Sequence, residues 1–113
     1  MLEATSFARI VLTTAANAEE AERLGRALVE ERLAACATIV PGVRSIYHWQ
    51  GAVEEAPETL MLVKTTAAKV EALEARLREL HSYDVPEFLV LTVEGGGQAY
   101  LDWLRQSVRE PEG

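Results

Sequence analysis

The stretch from Cys36 to Gly51 reads CATIVPGVRSIYHWQG, and the fold turns on what this run must be. It gathers β-branched and aromatic residues (Thr38, Ile39, Val40, Val43, Ile46, Tyr47, Trp49) with few helix formers, the composition of a strand. At about 3.3 Å per residue such a strand runs on the order of 50 Å. A compact chain of 113 residues has a radius of gyration of roughly 13 Å, hence a diameter of about 35 Å. The strand is longer than the body that carries it. Pro41-Gly42 at its middle predicts a bend or a bulge, because proline gives no ladder donor and glycine accepts unusual backbone angles. Beyond that point Val43, Tyr47 and Trp49 fall on one face and Ile46 on the other. A protruding strand with two apolar faces and unpaired backbone aggregates as a monomer, so self-pairing in a closed oligomer is the expectation.

Working outward, Phe7 to Thr14 is a short apolar run suited to a buried strand. Asn17 with Glu20 three residues later is a capping-box pattern, opening a helix that runs to about Leu33. Its inward face carries Ala21, Leu24, Ala27 or Leu28, and Leu33, with Glu20 among the charged residues elsewhere. After the long strand, Gly51 seats a hairpin turn, residues 53–57 form an acidic, proline-marked rim, and Thr59 to Thr65 is the returning strand. Thr65 or Thr66 caps a second helix striped by Val70, Leu73, Leu77 and Leu80. Glu87 to Val93 reads as a further strand; Gly95 to Gly97 reads as a strand-to-helix turn, since the run lacks the spacing of a phosphate loop. Ala99 to Val108 forms a last helix with Tyr100, Leu101, Leu104 and Val108 inward, and the tail from Glu110 frays. The order β-α-β-β-α-β plus a C-terminal helix is an α+β, ferredoxin-like sandwich with an extended β-hairpin, one domain over residues 1–113.

Composition narrows the function classes. Charged residues make up 26 % and hydrophobic residues 49 %, as in an ordinary globular protein. No run approaches the roughly 18 apolar residues of a membrane helix and no leader pattern opens the chain, so no membrane role and a cytoplasmic location are expected. Cys36 is the one cysteine, which excludes an internal disulfide. A net charge of −7 argues against nucleic acid, whose phosphates need clustered Lys and Arg.

Several side chains are candidates for chemistry. Cys36 is either a soft metal ligand or thiolate, or a small buried hydrophobe at a strand start. His48 either stacks on a ligand or packs a subunit contact, and Lys64 closes an apolar strand where its charge needs a partner. The densest polar cluster is His81-Ser82-Tyr83-Asp84-Val85-Pro86-Glu87, which puts an imidazole, a phenol and two carboxylates within one loop, a set suited to cation binding or acid/base work. Two distant histidines without HxH or CxxC spacing do not make a closed zinc site in one subunit. Trp103 either lines a cleft or fills the core.

Taken together, the stretches 31–36 (ERLAAC), 40–42 (VPG), 46–51 (IYHWQG), 62–65 (LVKT), 81–87 (HSYDVPE) and 100–104 (YLDWL) resemble the CutA divalent-cation tolerance family, from about Ile10 to Leu104. The resemblance implies a tightly packed homotrimer in which the long strands pair between subunits, an association with copper and divalent-metal tolerance, and a likeness to trimeric signalling proteins of the PII type. It implies no established reaction. The copper ligands proposed for bacterial members are a Cys on the first strand and two adjacent His before the Tyr loop; this chain has Thr13 and Leu80-His81 there, so His81 remains. Ser82 and Asp84 stand where the family usually has Pro and Glu.

The expectation is a non-enzymatic homotrimer that binds copper, another divalent cation or a small ligand in an intersubunit cleft. His81 would be the metal ligand with Cys36 and Glu87 as partners, and Trp49, Lys64, Tyr83 and Trp103 would line the cleft. The alternative is a PII-like signalling or scaffold module acting through an unknown protein partner with no physiological metal. An enzyme is third: acylphosphatases share the fold class, but the Phe7 to Asn17 region lacks the Arg motif that grips phosphate.

Overall fold

The structure, a computed structural model, describes residues 1–109. In chain order it contains β1 (Leu2–Ala4), β2 (Ala8–Ala15), α1 (Ala18–Glu30), β3 (Cys36–Trp49), β4 (Ala52–Thr66), a 3-10 turn (Ala67–Lys69), α2 (Val70–Leu80), β5 (Leu89–Thr92), β6 (Gly95–Gly97) and α3 (Gln98–Ser107). The main sheet runs β3-β4-β2-β5, antiparallel at every seam. Helices α1 and α2 cover one face, where Val11, Met61 and Val63 of the sheet meet Leu24, Leu28, Leu73 and Leu77 in a fully buried core. This is the α+β, ferredoxin-like arrangement with an extended hairpin and a C-terminal helix.

The hairpin does outrun the body. The molecule measures 47 × 31 × 22 Å and its radius of gyration is 15.0 Å, above the roughly 13 Å of a compact chain of this length. Gln50 and Gly51 both take positive φ (50° and 81°), the backbone twist that joins two long antiparallel strands by a two-residue turn. The ladder slips between Val40 and Val43, where Pro41-Gly42 seats a bulge and Gly42 sits at φ 78°. The slip has a definite sense. Val40 pairs Leu60 and Val43 pairs Glu58, so β3 advances three residues while β4 advances two. Before the bulge Cys36, Thr38 and Val40 share a face with Lys64, Leu62 and Leu60; after it Val43, Ser45, Tyr47 and Trp49 take over that same face, opposite Glu58, Ala56, Glu54 and Ala52.

The face away from the helices is open. Two rows cross it, Cys36–Lys64–Ile10–Leu91 and Thr38–Leu62–Leu12–Leu89, with Leu89 and Leu91 56 % and 43 % exposed.

Local chemistry explains several departures from the sequence reading. Strand β4 begins at Ala52 rather than Thr59, because residues 52–58 pair with β3 alone; one edge stays free there, which accommodates Pro57. The triple glycine is a strand, not merely a turn: Gly95, Gly96 and Gly97 pair with Ala4, Glu3 and Leu2. A Cβ on Gly95 would lie 2.7 Å from the Glu3 carbonyl oxygen, so only glycine permits that approach. Thr65 and Thr66 end β4 and do not cap α2; the Thr65 hydroxyl donates instead to the Leu33 carbonyl at 2.7 Å. Tyr100 is not inward but 49 % exposed, while Leu101, Leu104 and Val108 are buried. Helix α1 stops at Glu30 in a Schellman turn, with Arg32 at φ 59° and bonds from Leu33 N–H to Leu28 and from Arg32 N–H to Val29. The tail from Glu110 lies outside the described residues.

Candidate functional site

A cleft of about 470 Å³ opens between the outer half of the hairpin and the loop joining α2 to β5. Strand β3 contributes Ser45, Tyr47 and Trp49, and β4 contributes Glu58. The loop contributes Tyr83, Asp84, Val85 and Glu87, and Thr14 closes the end of β2. No Lys or Arg is among these lining residues. A second hollow, about 330 Å³ between α1 and β3, is lined by the exposed Glu22–Arg26 pair, bonded at 3.1 Å, and by Glu30.

The loop is held by three contacts. His81, 8 % exposed, ends α2 and its Nε2 lies 2.7 Å from the Thr14 carbonyl oxygen. Its Nδ1 accepts from the Tyr83 N–H at 3.0 Å, so Nε2 carries the proton and donates. Both ring nitrogens are engaged within the chain. The Tyr83 hydroxyl donates to Glu58 Oε2 at 2.9 Å across the cleft, and the His81 and Tyr83 rings lie 4.7 Å apart. Burial, then Glu58, pushes the Tyr83 phenol up to about 12.

Glu20 is the third holder, although helical spacing sets it off the apolar inward face of α1. It is 4 % exposed. Asn17 caps α1 as anticipated, accepting from the Glu20 N–H at 2.8 Å. The Glu20 carboxylate, however, turns inward to accept from Ala16 N–H at 2.9 Å and Ser82 N–H at 3.0 Å, tying the start of α1 to the loop. Burial raises its pKa, but these hydrogen bonds and the nearby His81 outweigh it and leave the group below its ordinary value. Glu87 goes the other way, its carboxyl pushed up by burial and then by the neighbouring Glu58.

Of the seven residues singled out from sequence, Trp49, Tyr83 and Glu87 line this cleft and His81 supports it from behind. Lys64 and Cys36 form a separate group on the open sheet face, where Lys64 Nζ donates to Thr38 Oγ1 at 2.6 Å and lies 3.7 Å from Cys36 Sγ. Trp103 is on α3, 44 % exposed, its ring tilted against that of Tyr100 with centroids 5.3 Å apart. Within one chain these three do not reach the cleft lining. Among the described residues no three His, Cys, Asp or Glu side chains gather to hold a metal ion. Glu58 and Tyr47 were missed. Alternation along β4 from Lys64 through Leu62 and Leu60 carries directly to Glu58, a signal lost once the strand was started at Thr59.

Residues 9–107 match the family model described as CutA1 divalent ion tolerance protein. The chain belongs to that family. It is 51 % identical over 98 residues to the divalent-cation tolerance protein CutA of Thermus thermophilus, covering 87 % of this chain and 95 % of that one. The solved CutA of Synechococcus elongatus superposes with a TM-score of 0.93 at 43 % identity, covering 96 % of each chain. A second structure of that CutA, complexed with a Bis-Tris molecule, superposes at 0.88 with 42 % identity over 95 % of this chain and 99 % of that one. Among the described residues no helix is long and apolar enough to cross a membrane.

Proposed function

We propose that this CutA-family chain is a homotrimeric, non-enzymatic cation-tolerance protein of the cytoplasm that holds a cation or small ligand in a cleft where subunits meet. One observation carries the reading: a cleft built on the projecting hairpin sets Glu58, Asp84 and Glu87 among three aromatic rings with no basic side chain in the lining. Such a site favours positive charge. The trimer is supported by the open apolar rows on the sheet and by a hairpin that extends past the body with Ile46 and Val53 70 % and 67 % exposed. Closed pairing would cover both.

For a metal, the donors in this cleft are carboxylates, which suit hard divalent cations better than Cu(I). Glu87 is the leading ligand. Cys36 enters only where donors from different subunits pool, and His81 only by giving up its bond to Thr14 or to the Tyr83 N–H. The Bis-Tris complex of the Synechococcus elongatus relative supports a small-molecule occupant as well. The exposed Ile46 and Val53 favour one second reading, a PII-like module whose hairpin meets a protein partner.

Equilibrium dialysis against Cu(II), Cu(I) and Zn(II), with Glu87→Gln, His81→Ala and Cys36→Ser variants, tests the metal assignment. Saturable uptake at a whole-number ratio per trimer, weakened by Glu87→Gln, assigns the metal. Non-saturating uptake indifferent to all three changes removes the metal and leaves a small-molecule occupant or the interaction module.

A further inference from the structure

We infer that the ligand class of this cleft is an organic ammonium cation, a charged nitrogen carried on apolar carbon, rather than a bare metal ion. The inference rests on the cation-binding reading above and specifies its chemistry. The lining that holds Glu58 and Glu87 is rich in aromatic side chains: Tyr47 and Trp49 stand two residues apart on one face of β3, and the loop adds Tyr83. Within one protomer Trp49 is 54 % exposed and Tyr47 42 %, aromatic surface available to an occupant of the cleft.

A metal ion is served poorly by these walls. It needs several oxygen ligands at about 2.0 to 2.6 Å, whereas the carboxylates here are not gathered for that and Glu58 already accepts from Tyr83. Aromatic faces offer no lone pairs to coordinate a metal. They do offer a negative quadrupole, which attracts a diffuse, weakly hydrated alkylammonium, while the nearby carboxylates neutralise its charge without direct coordination. Size agrees. The cleft holds about 470 Å³, the range of small-molecule sites and far more than a dehydrated ion occupies.

The test uses the full-length protein carrying Trp103→Phe, so that Trp49 is the sole indole. Its fluorescence is titrated with tetramethylammonium, with tert-butanol as an uncharged mimic of similar shape and K⁺ as an ionic control, and separately with Zn(II). Expected is saturable perturbation by tetramethylammonium, at least about tenfold tighter than by tert-butanol or K⁺, weakened about fivefold by Trp49→Leu and less by Trp49→Phe. Equal binding of tert-butanol, or no change on Trp49→Leu when binding is followed by calorimetry, overturns the inference. Glu87-dependent Zn(II) binding without tetramethylammonium binding overturns it while the cation-site reading stands. Absence of both overturns the two together.

Discussion

Glu20 and Tyr83 show how few atoms hold the cleft open. Glu20→Ala strips acceptors from two backbone N–H groups, Ala16 and Ser82, and should destabilise the protein by about 2 to 3 kcal/mol. Glu20→Gln, which keeps the shape, should remove a pH dependence instead. The folded pKa lies below the ordinary 4.5, so this carboxylate's stabilisation is complete above that value and is lost as pH falls through the depressed one. Thermal unfolding of the wild type should therefore lose stability more steeply than that of Glu20→Gln as pH falls below about 4.5. For Tyr83 the sign is reversed. A phenol raised to about 12 favours the folded state up to its ordinary value near 10, and that advantage fades as pH rises toward 12. In an alkaline absorbance titration one of the three tyrosines should ionise last, and Tyr83→Phe should delete that step. At this scale the sequence was half legible. The loop from His81 to Glu87 was identifiable because its polar side chains are contiguous, whereas the inward turn of Glu20 depends on Ser82, 62 residues away, and leaves no local trace.

Among the elements, the helices and the four sheet strands could be read from periodicity, since amphipathic burial repeats along the chain. The pairing of β1 with β6 could not, because glycine has no side chain to carry a pattern and the partner lies at the other end of the sequence. That pairing gives a clean prediction. Gly95→Ala drives a methyl against the Glu3 carbonyl, so amide exchange should accelerate in residues 2–5 and 94–98 while the core strands β2 and β4 keep their protection. At the α1 stop, Arg32→Gly relieves a left-handed residue but removes the bond from Arg32 to the Ser107 carbonyl at 3.0 Å, so near-neutral stability, within about 1 kcal/mol, is expected by denaturant unfolding.

For the whole molecule, the open sheet face is where the proposed homotrimer would close. Leu62 lies at the centre of that face, between Thr38 and Leu12, and its side chain is no part of the helix-covered core. Leu62→Lys should therefore leave the far-ultraviolet circular dichroism of the protomer intact while light scattering reports a fall from three chains to one; persistence of the trimer would show that this face is not the seam. Pro41-Gly42 has its widest effect here. The hairpin is written in two reading frames, even-numbered residues toward the open face before the bulge and odd-numbered ones after it, and the bulge is a one-letter insertion that shifts between them. Deleting Gly42 would remove that insertion and leave Val43, Ser45, Tyr47 and Trp49 on the face they hold now. A strand that kept both Pro41 and Gly42 and paired without the bulge would instead display Arg44, Ile46 and His48 where Ser45, Tyr47 and Trp49 stand now, so this one extra letter decides the entire vocabulary of the cleft wall while leaving the message of the core unaltered.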